Sequence, residues 1–403
     1  MKKEFNLQEE FKNLDFKSKK LEDRFKKSIE ILSEQPDKSI WLASGSRSEA
    51  KAIYRMLGNE KTDIQEILRS HKESTKARIS GMPVILAIQD TMCVNYNGHT
   101  KTKGMGYNCE KFLGINVHSC LAVTPEGLIL GLLDQLSYSR PESKNNSASH
   151  DIKKLRPIEE KESYRWLKAM ENGTADIPEG TKIINICDRE SDIYELFDKA
   201  EKTNKAFLIR AAYNRMTSDN EKVLDEIKKE NPIGETKVVI PRDSRKNIKE
   251  REAILKVSYR NFDIKRPNVR AKDKHLSPYV NINVIYIKEH QEDENIEPIE
   301  WILATNEPIE SAEDALKMVG YYVQRWKIER FHYTLKSGCK IEKIQERSVE
   351  KIFLLILMYS IISVRILNMT YLARICPEEK CDIILSEEEW KLLYCVANKK
   401  NST

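Results

Sequence analysis

Apolar residues in the first part of the chain recur at the spacing of an amphipathic helix. One apolar face repeats every three or four residues, at Leu21, Phe25, Ile29 and Leu32. A second helix is predicted to begin after Ser46, which fits a capping box with Glu49, and to end near residue 58. Basic residues surround both segments, which is usual for a solvated helix face and also typical of a DNA-binding surface. Residues 1–75 are therefore predicted to form a helical DNA-binding domain.

The pattern then changes to short β-branched runs, which are typical of strands. The predicted strands cover residues 84–88, 113–123, 128–133, 182–187 and 206–211. Helices predicted over 159–170 and 191–202 alternate with the later strands. Three meandering strands followed by alternating helix and strand predict a mixed α/β sheet in the segment 76–212.

Residues 213–300 alternate between apolar and polar positions, which predicts β structure interrupted by basic stretches at 242–251 and 265–274. We interpret this segment as a β-rich insertion. The core resumes over 301–375, with a strand at 301–305 and long helices at 312–336 and 349–374, and residues 376–403 form a C-terminal remnant. The apolar run 352–367 is too short to span a bilayer, so it predicts a buried helix and no membrane contact.

Composition adds a few limits to this picture. The chain has 403 residues, 40% of them hydrophobic, so two or three domains with a real core are possible. Its formal net charge is only +5, which does not demand nucleic acid but allows basic surfaces beside acidic ones. The eight cysteines form no CxxC pair, which argues against a zinc site. The N-terminus has no apolar segment typical of a signal peptide, so a cytoplasmic location is expected.

Three carboxylates occupy positions suited to metal-dependent chemistry on DNA. Asp90 and Asp188 follow hydrophobic strands, and Glu329 lies inside the long predicted helix. Carboxylates from a rigid frame hold Mg²⁺, and two ions about 3.5–4 Å apart catalyse phosphoryl transfer. Each residue taken singly has an ordinary explanation, because Asp is common in turns and a helical Glu is usually solvated.

The surroundings of Glu329 favour the chemical interpretation. Tyr322, Arg325, Glu329 and Lys336 follow one another at intervals of 3, 4 and 7 residues, which places them along one stripe of a continuous helix. Arg325 and Glu329 could form an ordinary i,i+4 ion pair. A metal-binding carboxylate between phosphate-binding Arg and Lys residues is also what a DNA-cleavage site requires.

The Tyr-x2-Arg-x3-Glu-x6-Lys pattern resembles the signature of the insertion-sequence-4 family of DDE transposases. Residues 87–91 resemble the first-aspartate motif of that family, and residues 187–193 resemble its second motif. Trp301 lies where the insertion domain of the family carries a base-stacking tryptophan, and residues 45–57 resemble its DNA-binding region. The resemblance covers roughly residues 10–395.

The resemblance implies an RNase H-like catalytic core, an inserted β-rich subdomain and an N-terminal helical DNA-binding domain. It implies a cut-and-paste reaction in which the transposon end is nicked, closed into a hairpin, reopened and joined to target DNA. Asp90, Asp188 and Glu329 would hold two Mg²⁺ ions, for which Mn²⁺ could substitute. The implied DNA-contacting residues are Tyr322, Arg325, Lys336, Arg189, Arg210 and Trp301, the last stacking on a flipped base.

The implied partners are the double-stranded transposon ends and the target DNA. Members of this family work as a homodimer on DNA, and their C-terminal dimerisation region is short in this chain. We therefore expect a monomer in the absence of DNA and weakened pairing of ends. Two alternatives remain open, namely an RNase H-like nuclease that does not join strands and a non-catalytic protein, or truncated element product, that binds transposon ends.

Overall fold

The computed structural model describes residues 7–108, 112–140, 155–240, 250–290, 298–383, 385 and 387–398. Within these ranges, nine strands form one mixed sheet in the order β3-β2-β1-β4-β5-β9-β8-β7-β6. The strands are β1 Val84–Asn95, β2 Gly114–Val123, β3 Ile129–Tyr138, β4 Lys182–Cys187, β5 Ala206–Arg210, β6 Gly234–Ile240, β7 Arg251–Lys265, β8 Tyr279–Glu289 and β9 Glu300–Thr305.

Helices precede, cover and follow this sheet. The α-helices are α1 Leu7–Glu10, α2 Lys19–Glu34, α3 Ile40–Ala43, α4 Arg47–Leu57, α5 Ile64–Ile79, α6 Tyr164–Gly173, α7 Tyr194–Lys202, α8 Val223–Ile227, α9 Ala312–Val323, α10 Trp326–Tyr333, α11 Val349–Ile375 and α12 Glu387–Asn398. Helices α5, α6 and α11 pack on β3, and α10 packs on β1.

The first five strands form the mixed α/β core that the sequence predicts. Strand β1 pairs antiparallel with β2 from Leu86 to Asn95, and it pairs parallel with β4 only from Val84 to Ile88. Strand β5 continues the sheet parallel to β4. Every residue of β2 is buried, as expected for a strand covered on both faces. The predicted RNase H-like mixed sheet is confirmed.

The strands of the segment 213–300 extend the same sheet. Strand β9 pairs antiparallel with β5 on one side and with β8 on the other, and β7 and β6 follow as antiparallel neighbours. The β-rich segment is therefore hydrogen-bonded edge to edge with the core sheet. The basic residues predicted to interrupt it at Arg242, Arg245, Lys246 and Lys249 lie outside the described residues.

The N-terminal helices form as predicted, with one difference at the start of α4. Helix α2 buries its predicted apolar face, and the Ser46 hydroxyl accepts a hydrogen bond from the backbone N–H of Glu49. The Glu49 carboxylate does not complete the predicted capping box, because it accepts hydrogen bonds from Arg24 at 2.6 Å and Lys27 at 2.8 Å. These ion pairs join α2 to α4.

The single helix predicted over 312–336 is wrong, because the chain tightens between α9 and α10. The backbone N–H groups of Gln324 and Arg325 donate to the carbonyls of Tyr321 and Tyr322, three residues earlier. A π-helical turn over Thr334–Gly338 follows α10. Hydrogen bonds to the third preceding residue wind the chain more tightly than an α-helix. The break therefore changes the direction in which side chains before and after it point.

Helix α11 confirms the predicted buried helix. By length and composition it is, among the described residues, the one helix long and apolar enough to cross a membrane. However, 78% of its most apolar 18-residue window is buried inside the protein. Its apolar surface therefore belongs to the core of the fold.

A buried ionic cluster of Glu10, His71 and Arg78 connects α1 and α5 to the sheet. The two terminal nitrogens of Arg78 donate to the two Glu10 carboxylate oxygens at 2.6 and 2.9 Å, and the Arg78 Nε donates to the Leu130 carbonyl. The Leu132 N–H donates to Nε2 of His71, so the His71 proton lies on Nδ1, 2.5 Å from Glu10. Burial raises the pKa of Glu10, but Arg78 and His71 outweigh it and hold that pKa at about 2.

Candidate active site

Strands β1 and β4 place two aspartates side by side. Their parallel pairing ends with Ile88 opposite Ile186. Asp90 and Asp188 each lie two residues further along, on the same side of the sheet edge. The sequence predicts that the strand stops before Asp90, which is wrong, because pairing with β2 carries β1 on to Asn95. Asp90 therefore stays paired with Ser119 of β2 at a point where the pairing with β4 has already ended.

Each aspartate is oriented by a backbone N–H group. Asp90 Oδ1 accepts a hydrogen bond from the Thr91 N–H at 2.7 Å. Asp188 Oδ1 accepts one from the Glu190 N–H at 2.9 Å, at the start of the short 3-10 turn Arg189–Ser191. In both cases one carboxylate oxygen is fixed by the protein.

Helix α10 brings Glu329 to the same place. The Arg325 Nη1 lies 3.6 Å from Asp90 Oδ2 and 3.4 Å from Glu329 Oε1. The i,i+4 ion pair anticipated from the sequence is therefore present, and the same guanidinium also reaches a carboxylate on the sheet. Oxygen atoms of Asp90 and Glu329 lie within 4.8 Å of each other and of a ring nitrogen of His332.

The site concentrates negative charge in a poorly solvated position. Burial is the largest cause that raises the pKa of Asp90 to about 7, and the carboxylates of Asp188 and Glu329 raise it further, while Arg325 opposes them. Burial also raises the pKa of Asp188. A carboxylate group that resists ionisation until a cation arrives is typical of metal-binding sites.

A divalent cation fits this arrangement of residues. The Arg325 guanidinium already lies between two carboxylates, so their oxygens point towards a common cation. Carboxylate oxygens are the ligands that Mg²⁺ and Mn²⁺ prefer. Asp90 and Glu329 could hold such an ion together, and Asp188 is close enough for its carboxylate to raise the pKa of Asp90.

The acidity of Asp90 gives a testable pH dependence. Below about pH 7 the Asp90 carboxyl holds a proton that a cation must displace, and above that pH the ligand is already ionised. We expect the affinity for Mn²⁺ to rise as the pH increases from 6 to 8 and to level off above it. Titration of Mn²⁺ followed by its electron paramagnetic resonance signal measures this affinity. An affinity that is equal at pH 6 and pH 8 would contradict the assignment.

Two predicted DNA-contacting residues pack against each other beside the carboxylates. The Tyr322 and Trp301 rings make an edge contact with centroids 5.6 Å apart. Tyr322 is buried, whereas Trp301 in β9 is half-buried and lies opposite Ile287 of β8. Trp301 therefore has one face in the core and a remaining exposed part.

The basic residues that were predicted to contact DNA lie in different surroundings. Arg210, at the end of β5, donates to the Glu300 carbonyl at 3.2 Å. Burial lowers the pKa of Arg210, as do the nearby cations Arg189 and Arg325. Arg189 is exposed, and Lys336 Nζ lies 3.7 Å from Glu342 beyond the helix break. Arg325 thus lies between two carboxylates and Arg210 lies near Asp188, whereas Lys336 lies beside Glu342 after the helix break.

Sequence reasoning missed Arg165 and His332. Arg165 of α6 donates to the Thr91 hydroxyl at 2.9 Å and to Glu190 at 2.5 Å, so it lies beside both aspartate motifs. Burial lowers the pKa of His332 to about 3, which keeps its ring neutral at pH 7. The Glu-x-x-His spacing of Glu329 and His332 could have signalled the histidine, whereas no motif marks Arg165.

Comparisons with known proteins give two family matches and a distant structural likeness. A family model described as "Transposase DNA-binding" matches residues 4–62. A distant structural likeness covers 97% of this chain and 76% of the other chain, at 11% identity and a TM-score of 0.43. That structure is the piggyBac transposase synaptic complex with hairpin DNA. A second family model, described as "Transposase DDE domain", matches residues 90–365. Because this match spans more than half of the chain and begins at Asp90, the protein belongs to the DDE-domain transposase family.

Proposed function

We propose that this protein is a cut-and-paste DNA transposase of the insertion-sequence-4 family that acts on the inverted repeats of its own element. The observation that carries the proposal is the convergence of Asp90 and Glu329 on Arg325, with Asp188 directly after the neighbouring strand β4. Membership of the DDE family supports a metal-dependent reaction on DNA. Hairpin formation and strand joining are the steps that the proposal adds.

Asp90, Asp188 and Glu329 would hold two Mg²⁺ ions, and Mn²⁺ could replace them. When bound, such ions supply activation of the attacking oxygen and stabilisation of the leaving oxygen. Arg325 and Arg165 would contact the phosphate oxygens, because a guanidinium can donate two parallel hydrogen bonds to such a group. Both guanidinium groups already lie beside the aspartates, so little reorganisation is needed.

The proposed reaction is a series of exchanges at phosphorus. Water attacks at the transposon end, and the bond from phosphorus to the 3′ oxygen breaks, which leaves a 3′-hydroxyl. That hydroxyl attacks the opposite strand and forms a hairpin, which a second water reopens. The released 3′-hydroxyl then attacks a phosphate of the target DNA. Each step forms one phosphorus–oxygen bond and breaks one, so no external energy source is required.

Helix α4 supports the proposed recognition of transposon ends. Its side chains Arg47, Lys51 and Arg55 are exposed and follow one another at intervals of four residues, so they share one face. Within the described residues, no ion pair is formed by these three cations. An exposed basic face on a helix suits contact with the DNA backbone.

We further propose that the working assembly is a homodimer on paired DNA ends in the cytoplasm. Helix α12 buries none of its side chains and exposes Leu392, Leu393, Tyr394 and Val396. A helix of this size offers less than the ~800 Å² per partner of a standard interface. DNA would therefore have to supply much of the contact that holds two copies together.

A strand-joining assay tests the proposed function. The purified protein is incubated with Mg²⁺, a labelled DNA carrying the inverted repeat that flanks its gene, and a supercoiled target plasmid. We expect nicked ends, hairpins and joined products on denaturing gels. Cleavage without joined products would identify a nuclease, and end binding without cleavage would identify a non-catalytic protein.

Replacing Trp301 with Ala should slow hairpin formation or opening more than first-strand nicking. Stacking on a flipped base is worth about 1–3 kcal/mol, which corresponds to a rate loss of about 5- to 150-fold in the steps that need it. Single-turnover rates of each step measure the effect, and Trp301→Phe is the control that keeps an aromatic ring. Equal slowing of all steps with a lowered melting temperature would instead assign Trp301 to the core beside Tyr322.

A further inference from the structure

His332 lies beside the carboxylates and has no role so far. It follows Glu329 by three residues on α10, so the two side chains share one face of the helix. One ring nitrogen of His332 lies within 4.8 Å of carboxylate oxygens of both Asp90 and Glu329. The side chain is only 8% exposed. A Glu and a His at this spacing form the inward-facing metal-binding pair of carboxylate-bridged helical bundles.

The hydrogen bonding of His332 differs from that of His118, the other buried histidine near the site. The Nε2 atom of His332 is buried and has no hydrogen-bond partner in the part of the chain that the structure describes. In contrast, His118 has Nδ1 2.9 Å from the Thr91 hydroxyl and Nε2 3.4 Å from Gln89. Buried polar atoms without partners are rare in folded proteins. The Nε2 atom of His332 is therefore suited to contact a bound group, such as a metal ion, that the protein itself does not supply.

The spacing of the three groups suits one metal ion. Ligand atoms on opposite sides of an octahedral Mg²⁺ or Mn²⁺ ion lie about 4.2 Å apart, twice a bond length of about 2.1 Å. The three ligand atoms lie within 4.8 Å of one another, so small side-chain rotations would close them around an ion. The Arg325 guanidinium lies 3.6 Å from Asp90 and 3.4 Å from Glu329, so the two carboxylates face the same point.

We propose that His332 is a nitrogen ligand of the divalent cation held by Asp90 and Glu329. This site would then have a mixed nitrogen and oxygen ligand set. Imidazole favours first-row transition metals, whereas Mg²⁺ prefers oxygen ligands. The site should therefore bind Co²⁺ more tightly than Mg²⁺ because of His332. The inference rests on the proposed function only in requiring that these carboxylates hold a cation.

Pulsed electron paramagnetic resonance of Mn²⁺ bound to the full chain tests the inference directly. A coordinated imidazole produces nitrogen modulation of the Mn²⁺ signal, and labelling the histidines with ¹⁵N shifts its frequencies. We expect this modulation in the unmodified protein, so the main readout does not depend on the folding of a variant. His332→Asn should remove it, whereas the matched buried control His118→Asn should keep it.

Metal titrations provide a second readout that is independent of activity. His332→Asn should weaken Co²⁺ binding by about 10-fold or more, the usual effect of altering a metal-site residue, and should change Mg²⁺ binding much less. Circular dichroism confirms that the variant is folded.

The outcomes separate the inference from the proposed function. Mn²⁺ binding that is lost in Asp90→Asn but shows no nitrogen modulation in the unmodified protein would overturn the role of His332 and leave the proposed function standing. Modulation that persists in His332→Asn would assign it to another histidine and overturn the inference. Absence of any Mn²⁺ binding at millimolar concentration would overturn both.

Discussion

Replacing Glu329 with Gln should abolish strand cleavage while leaving the binding of transposon ends intact. The amide has nearly the same shape but removes one negative charge from the group formed with Asp90 and Arg325. We expect nicking to fall by at least about 10³-fold, since removing one group that stabilises charge in an active site has an effect of this order. Binding should persist, because phosphate contacts come mainly from Lys and Arg.

Nicking rates on denaturing gels and gel-shift titrations with the same DNA measure these two effects. Glu313→Gln is a suitable control, since Glu313 is an exposed glutamate in the first turn of the preceding helix α9. A Glu329→Gln protein that is folded but no longer shifts the DNA would show that cleavage and binding are not separable in this way.

The second large effect concerns stability. Replacing Arg78 with Met should lower the free energy of unfolding by about 3–5 kcal/mol, because it leaves the Glu10 carboxylate buried without its main partner. Urea unfolding followed by circular dichroism measures this change. The control Arg69→Met removes a surface pair with Glu66 and should cost at most about 1 kcal/mol.

A double variant identifies the cause of this loss. Glu10→Gln combined with Arg78→Met should be more stable than Arg78→Met alone, because the uncompensated charge is gone. A double variant less stable than the single one would show that Glu10 acts through packing or its other hydrogen bonds.

The contribution of Glu10 to the free energy of unfolding depends on pH in a direction that its pKa defines. The pKa of Glu10 is lowered to about 2, so the stabilisation is present above its ordinary value of 4.5 and is lost as the pH falls through 2.

Strand positions were predictable from the sequence where burial alone determines them. The predicted strand 182–187 matches β4 residue for residue, because a strand covered on both faces is a nearly continuous apolar run, interrupted in β4 only by the buried Asn185 after the exposed Lys182. Strand β1 is longer than predicted, since Asp90 and Thr91 interrupt the apolar pattern while the backbone continues to pair with β2. Hydrogen bonding between strands does not require apolar side chains, so the pattern underestimates such a strand.

The site was predictable only where spacing along the chain carries information. Arg325 and Glu329 are four residues apart, and their ion pair follows from helix geometry. Arg165 comes from a helix between the motifs, and its position depends on how α6 packs against the sheet. The break at Gln324 was not predictable, because neither Pro nor Gly marks it. The folded chain is needed to show that Arg325 also reaches Asp90 on the sheet.

The position of β9 in the sheet determines the order in which the strands can pair while the chain is being synthesised. Strands β6, β7 and β8 pair with their neighbours in sequence, so they can form as soon as they leave the ribosome. The contact between Arg210 of β5 and Leu303 of β9 closes a long loop and must wait for the whole intervening segment. Glu329 is made later still, on helix α10, which packs against β1. An unfinished chain therefore carries both aspartates before it carries Glu329, so under the proposed function it would not cut the DNA around it until Glu329 has been added.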